Sequence, residues 1–277
     1  GNTVALSAAA ATVSTTAVTG ASAPTTVKDD TITSTGAFMS ASTINGGAGS
    51  DTLTISGATA AAAALTGAWT LVTAGAGTGS AVSSVETIKF TGNTGGILTM
   101  PNTIGLAAAN TSATVASLVT MGTGANQSFS ATTGTGANVV VLGTGAAQSA
   151  TMTGSNGVVQ TVTLGAAGQT ASTGLGNDVV NATDVTIAGS TIAMGAGTTD
   201  NLAVTVAAAA TVALGSTAVT GGAAAFSGVE TLTLTQAGAA FVTVTPPAAL
   251  TIVQGTDDLT VTGTGSTIPV SQNATQT

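Results

Sequence analysis

Apolar and polar residues alternate with a period of two in many short runs: Thr31-Ile32-Thr33, Thr52-Leu53-Thr54-Ile55, Val158 to Leu164, Val185 to Ile187, Val204-Thr205-Val206, Thr231 to Thr235, Phe241 to Thr245 and Leu259 to Thr262. Successive side chains on a strand point to opposite faces, so β-branched residues at this period, closed off by glycine, predict many half-buried strands. Ala58 to Leu65 and Ala207 to Ala210 favour helix by propensity, but they lack caps and charged flanks, which limits them to one or two short helical turns. The pattern predicts an all-β fold: a parallel β-helix or β-roll-like solenoid with Gly-Asp turns, or alternatively stacked β-sandwich modules.

Acidic residues are placed with respect to these runs. Of the ten acids, seven have an aliphatic residue two places later: Asp30/Ile32, Asp51/Leu53, Glu86/Ile88, Asp178/Val180, Asp200/Leu202, Glu230/Leu232 and Asp257/Leu259. Each of these acids therefore marks a turn that enters a strand. Asp30 and Asp51 are 21 residues apart and Asp178 and Asp200 are 22 apart, close to one rung of a parallel β-solenoid. A longer unit repeats as well. A glycine-rich turn, Asp51, a strand, an alanine run and Val85-Glu86-Thr87-Ile88 are followed 149 residues (Asp to Asp) and 144 residues (Glu to Glu) later by Asp200 and Val229-Glu230-Thr231-Leu232. This reads as an internal duplication with β-rich modules over 1–130 and 131–277, which one continuous solenoid could also contain.

Gly46-Gly47-Ala48-Gly49-Ser50-Asp51-Thr52-Leu53-Thr54 matches the calcium-binding nonapeptide G-G-x-G-x-D-x-U-x at every position. A hard cation takes oxygen ligands, and glycines at this spacing let the backbone turn tightly enough to offer carbonyls beside one carboxylate. Leu53 should then face inward and Thr52 and Thr54 outward. Gly174-Leu175-Gly176-Asn177-Asp178-Val179-Val180 keeps most of the motif, with Thr173 in place of its first glycine. Gly195 to Leu202 has one extra residue before Asp200, and Gly255 to Asp258 keeps a remnant. The candidate calcium ligands are Gly47, Gly49, Asp51, Gly174, Gly176, Asp178 and Asp200. The plainer alternative is that the glycines make tight turns and the Asp side chains accept backbone hydrogen bonds. Glu86 and Glu230 read either as further ligands or as ordinary turn residues with solvated carboxylates.

Composition narrows the function. The 277 residues contain no Cys and no His, and Lys28 and Lys89 are the only cations, giving a net charge of -8. Phosphate neutralisation is out of reach, so nucleic acid is excluded as a partner. With neither imidazole nor thiolate, the common catalytic triads and zinc sites are excluded, and the expectation is that the chain is not an enzyme. Asp29-Asp30 and Asp257-Asp258 are adjacent pairs, but neighbours on a strand face opposite ways, so neither makes a glycosidase dyad. Charged residues are 4% of the chain, and its few aromatics (5 Phe, 1 Trp, no Tyr) leave the core to Val, Ile, Leu and Ala. Despite a mean hydropathy of +0.54, no stretch of 18 apolar residues survives the interspersed Gly, Ser and Thr, so a membrane span is not expected. The start at Gly1, with neither Met nor a signal peptide, reads as a processed or excised piece. Outward threonine ladders such as Thr231-Thr233-Thr235 are ordinary occupants of an exposed strand face. The sequons at Asn110, Asn126, Asn181 and Asn273 occur at the frequency that abundant Ser and Thr alone produce.

On the Gly46 to Thr54 nonapeptide, the Gly174 to Val180 variant and the two Val-Glu-Thr segments at Glu86 and Glu230, the chain resembles RTX-type bacterial surface proteins, especially calcium-dependent surface-layer proteins. The resemblance covers about half the chain and implies export without cysteines, calcium-stabilised β-helical stacking and assembly into a lattice on the cell exterior. It makes Ca²⁺ the expected cofactor. The expected partners are copies of the same chain, with a cell-surface polysaccharide as the other candidate. An RTX-like adhesin or stalk segment is the alternative function.

Overall fold

The computed structural model describes residues 3–6, 12–14, 29–35, 42–56, 68–73, 80–91, 97–103, 105–110, 116–132, 136–153, 157–206, 211–215, 224–236, 241–244, 251–254, 259–261 and 270–272. Among them every regular element is a strand, and every pairing between strands is parallel. The two alanine runs given helical propensity lie outside the described residues.

The strands form two 13-stranded sheets. In spatial order the first sheet begins β1 (Thr3–Ala5), β3 (Thr31–Thr35), β5 (Thr52–Ser56), β8 (Thr87–Thr91), β10 (Ala107–Asn110) and β12 (Ser128–Ser130). It continues β14 (Ser149–Met152), β16 (Thr170–Thr173), β18 (Thr191–Ala193), β21 (Ala224–Ser227), β20 (Thr211–Gly215), β23 (Phe241–Val244) and β25 (Leu259–Val261). The second begins β2 (Thr12–Ser14), β4 (Thr43–Asn45), β7 (Ser80–Ser83), β6 (Ala68–Thr73), β9 (Ile97–Thr99) and β11 (Leu118–Thr120). It continues β13 (Val139–Val141), β15 (Thr161–Thr163), β17 (Val179–Thr183), β19 (Asn201–Val206), β22 (Thr231–Gln236), β24 (Thr251–Gln254) and β26 (Val270–Gln272). Consecutive strands mostly alternate between sheets, so each coil adds one strand to each. The architecture is a two-sheet parallel β-solenoid, the solenoid alternative of the two read from the sequence.

The coil length explains the register. Ala107, Ser128, Ser149, Thr170 and Thr191 pair in succession at intervals of 21 residues, as do Ile97, Leu118 and Val139. A constant interval keeps the inward residue of each strand above that of the last. Ile32, Leu53, Ile88, Ala108, Phe129, Ala150, Ala171 and Ile192 form one buried column. Leu98, Val119, Val140, Val162, Val180, Leu202 and Leu232 face it from the second sheet. Phe129 sits between Ala108 and Ala150, which offsets its bulk and keeps the thin core evenly filled. Leu53 is buried and Thr52 and Thr54 face outward, as the nonapeptide requires.

Two coils are irregular in the same way. Where β6 and β7 both join the second sheet, they do so in reversed spatial order between β5 and β8 of the first. β20 and β21 do the same in the first sheet, between β19 and β22 of the second. The duplicated sequence thus builds the same irregular coil twice, with the sheets exchanged.

One predicted strand is a turn. Val185 to Ile187 bends away from β17 because the Thr186 hydroxyl accepts the N–H of Thr183 (2.8 Å) and the Thr183 hydroxyl accepts the N–H of Thr186 (3.1 Å). Side-chain oxygens that cap local N–H groups in this way compete with the ladder for the backbone, and Val185 is left 69% exposed.

Candidate cation site at the polar ladders

In each coil the residue immediately before a strand lies at a corner between the sheets, stacked on its equivalents. At the first corner this column is Asp30, Asp51, Glu86, Leu106, Gln127, Gln148, Gln169 and Ser190, fixed by bonds such as Thr52 N–H to Asp30 O, Ser149 N–H to Gln127 O and Thr170 N–H to Gln148 O. At the opposite corner it is Ser117, Asn138, Gln160, Asp178, Asp200 and Glu230, fixed by Val139 N–H to Ser117 O, Val179 N–H to Gln160 O and Asn201 N–H to Asp178 O. Both columns lie two residues before an inward side chain, the spacing that the acids show in the sequence.

The acids cluster as two copies of one ladder. At the first corner Asp30 N–H donates to Asp51 Oδ1 (2.7 Å) and Asp51 N–H to Glu86 Oε2 (2.6 Å). At the second, Asp178 N–H donates to Asp200 Oδ1 (2.7 Å) and Asp200 N–H to Glu230 Oε2 (2.8 Å). Asp178 Oδ1 in turn accepts Gln160 N–H at 2.7 Å. Each carboxylate thus satisfies a buried N–H of the coil before it. Outside the ladders, Ser50 N–H donates to Asp29 and Thr198 N–H to Asn177, giving both copies the same exposed staple.

Two of the ladder carboxylates, Asp51 and Asp200, are costly to keep charged. Asp51, Asp178 and Asp200 are fully buried. Burial pushes the Asp51 carboxyl above its ordinary value; the Asp30 N–H pulls it back, and the neighbouring Glu86, Asp30 and Asp29 raise it further. Asp200 is raised for the same reasons, by burial first, opposed by the N–H groups of Asp178 and Gly197, with Glu230 and Asp178 as the like charges. The second oxygens differ. Asp200 Oδ2 accepts Gly197 N–H at 3.1 Å, whereas Asp51 Oδ2 and Asp178 Oδ2 are buried with no hydrogen-bond partner.

The predicted ligands divide accordingly. Asp178 and Asp200 are neighbours in one ladder, and Asp51 belongs to the other. Gly47 and Gly49 have φ of 91° and 146°, which side chains rarely adopt, and Gly47 N–H turns onto Asn45 Oδ1 (3.1 Å). Gly174 and Gly176 stand against the preceding turn, where a Cβ on Gly176 would collide with Val158 O. Glu86 and Glu230, which the sequence leaves between ligand and solvated turn residue, are the terminal acceptors of the two ladders. Gln127, Gln148, Gln169, Asn138 and Gln160 hold the same columns without being singled out by charge. The signal that would have found them is their shared place two residues before the inward position. Lys28 and Gly255 to Asp258 lie outside the described residues.

Among the described residues no three His, Cys, Asp or Glu side chains gather into a group able to hold a metal. A cation here would rest on one carboxylate with backbone carbonyls. Asp51 and Asp178 fit that role, since a buried carboxylate oxygen without a donor, beside a glycine turn, suits a hard ion. Asp200 accepts an N–H at each oxygen, so a cation at its turn would lean more on the backbone carbonyls of the coil before it. No helix among the described residues is long and apolar enough to cross a membrane. Comparison of the chain with protein-family models, with curated proteins and with solved structures finds no match.

Proposed function

We propose that this chain is a structural, non-enzymatic protein of the bacterial cell exterior that self-assembles into a calcium-stabilised surface layer or filament. The observation that carries the reading is the pair of Asp-Asp-Glu ladders, whose aspartates are buried and leave an undonated oxygen at Asp51 and at Asp178. Calcium, when bound, supplies the positive charge that such stacked carboxylates lack. The chain's own residues do the rest: Gly47 and Gly49 turn the backbone, Asp51 and Asp178 present an oxygen each, and the N–H groups of Asp30 and Gln160 hold the carboxylates in place.

The outer faces support assembly. Among the described strands Lys89 is the one charged residue, and the outward rows of the first sheet are Thr, Ser and Ala almost throughout. Faces with so little charge have little to keep copies apart. Electron microscopy and light scattering of the purified chain in calcium and in chelator test the proposal. Sheets, tubes or filaments that form in calcium and disperse on chelation are expected, whereas persistent monomers in calcium would assign the chain to a stalk or adhesin segment.

A further inference from the structure

We infer that the glutamine turns of the first corner are the same kind of turn as the glycine-aspartate turns, with a side-chain amide standing where a cation would stand, so that the middle of the solenoid is locked without a metal. The inference takes its ion from the reading proposed above, but its geometry is independent of it. Gln148 Nε2 donates to Gly122 O and to Gly124 O, both at 2.8 Å, while its Oε1 accepts Gly143 N–H at 2.6 Å. One coil earlier, Gln127 Nε2 donates to Pro101 O (2.6 Å) and Thr103 O (2.8 Å). One coil later, Gln169 Nε2 donates to Gly143 O (2.8 Å) and Gly145 O (3.1 Å), and its Oε1 accepts the N–H groups of Gly165 and Ala166. Three successive turns thus present a pair of carbonyls, two residues apart, to one buried nitrogen. Two carbonyl oxygens converging on one point will accept an N–H₂ group or a hard cation, since both bring positive charge to the lone pairs.

The opposite corner contains the same turn with a carboxylate. Gly143-Thr144-Gly145-Ala146-Ala147-Gln148 and Gly195-Ala196-Gly197-Thr198-Thr199-Asp200 share the spacing G-x-G-x-x-Q/D. A Cβ on Gly143 or Gly145 would collide with Gly122 O or Gly124 O, and one on Gly195 or Gly197 would collide with Gly174 O or Gly176 O. Gln148 lies against Gly145 as Asp200 lies against Gly197, and each accepts an N–H from a glycine of its own turn. Gly174 O receives the N–H of Ala196 at 3.2 Å. Asp200 has no donor to offer that carbonyl pair, because a carboxylate only accepts, and its Oδ1 stands against Gly197 as the amide nitrogen of Gln148 stands against Gly145.

Thermal unfolding of the full chain carrying Gln148→Asp or Gln148→Asn, each in chelator and in calcium, tests the inference. Both substitutions remove the amide fork and are expected to lower Tm in chelator. Calcium is expected to restore Q148D and leave Q148N low, with a gain of about a hundredfold in the folded-to-unfolded ratio at a hundredfold excess over Kd. Calcium that restores neither variant, or both alike, overturns the inference, and so does a Q148D chain that fails to fold in either condition. Gln127→Asp, facing the carbonyls of Pro101 and Thr103, repeats the test at a second turn. In the unaltered chain, hydrogen exchange in chelator should keep its protection over 118–153 while 42–56 and 174–206 lose theirs. Loss across all three together contradicts the metal-free middle, and loss in none contradicts the calcium reading of the acid turns while leaving the Q148D result to stand or fall alone.

Discussion

Thr173 ends β16 beside Met152 of β14, and its buried hydroxyl has no partner. Replacing a buried, unsatisfied hydroxyl by a methyl group of the same shape removes a desolvation cost, so Thr173→Val should stabilise the chain by about 1 kcal/mol in denaturant unfolding. A second feature is conformational. Gly105, Asn126, Ala147, Gly168 and Gly189 each precede a first-corner ladder residue, and all have positive φ, between 54° and 72°. Ala147 pays a steric penalty that Gly168 avoids, and a Cβ at Gly168 would meet nothing within 4 Å, so only the backbone angle matters there. Ala147→Gly should therefore stabilise, and Gly168→Ala destabilise, by about 1 kcal/mol each. Neither feature can be read from the sequence. Thr170 to Thr173 alternates like any exposed threonine strand, and an alanine in a left-handed turn carries no compositional mark.

At the scale of elements, the acid turns are legible because the chain has so few charges: Asp30, Asp51, Glu86, Asp178, Asp200 and Glu230 all stand two residues before an aliphatic side chain that the fold buries. Gln127, Gln148, Asn138 and Gln160 obey the same rule but pass for ordinary polar residues. The consequence of stacking carboxylates is a pH dependence. Asp51 and Asp200 have folded-state values above the ordinary 3.8. The folded chain therefore holds protons that the unfolded chain releases, and their contribution is fully present below 3.8 and falls as pH rises from there through the raised values. In chelator, the denaturation midpoint should decline as pH rises from about 4, and calcium should cancel the decline. A midpoint that rises over the same range in chelator would contradict the buried-ladder account. Asp51→Asn keeps an oxygen for the Asp30 N–H and removes the charge repelled by Glu86, Asp30 and Asp29. In chelator this variant should be more stable than the unaltered chain, and calcium should raise its midpoint by less, through Asp178 alone.

The whole molecule repeats on two scales. The 21-residue interval between Asp30 and Asp51 already contains the coil, and from it the parallel solenoid follows. The longer duplication is also visible in sequence, but its placement is not. Asp51 precedes a strand of the first sheet and Asp200 a strand of the second, so the copies are displaced by a half-integral number of coils and land on opposite corners. Only the pairing of strands reveals this, because a sequence repeat says nothing about which sheet a strand joins. As a result the acids among the described residues are gathered at corners and turns rather than spread over the sheet faces, and ions that neutralise the corners should act on fold and assembly together.

Equilibrium denaturation at neutral pH across a calcium titration, comparing the unaltered chain with Asp51→Asn/Asp178→Asn, tests that claim most directly. The unaltered chain should gain stability in proportion to the logarithm of calcium concentration once binding begins, and the double variant should show a flat line. Two superimposable curves, whether both rise or both stay flat, would mean that the undonated oxygens of Asp51 and Asp178 hold no cation.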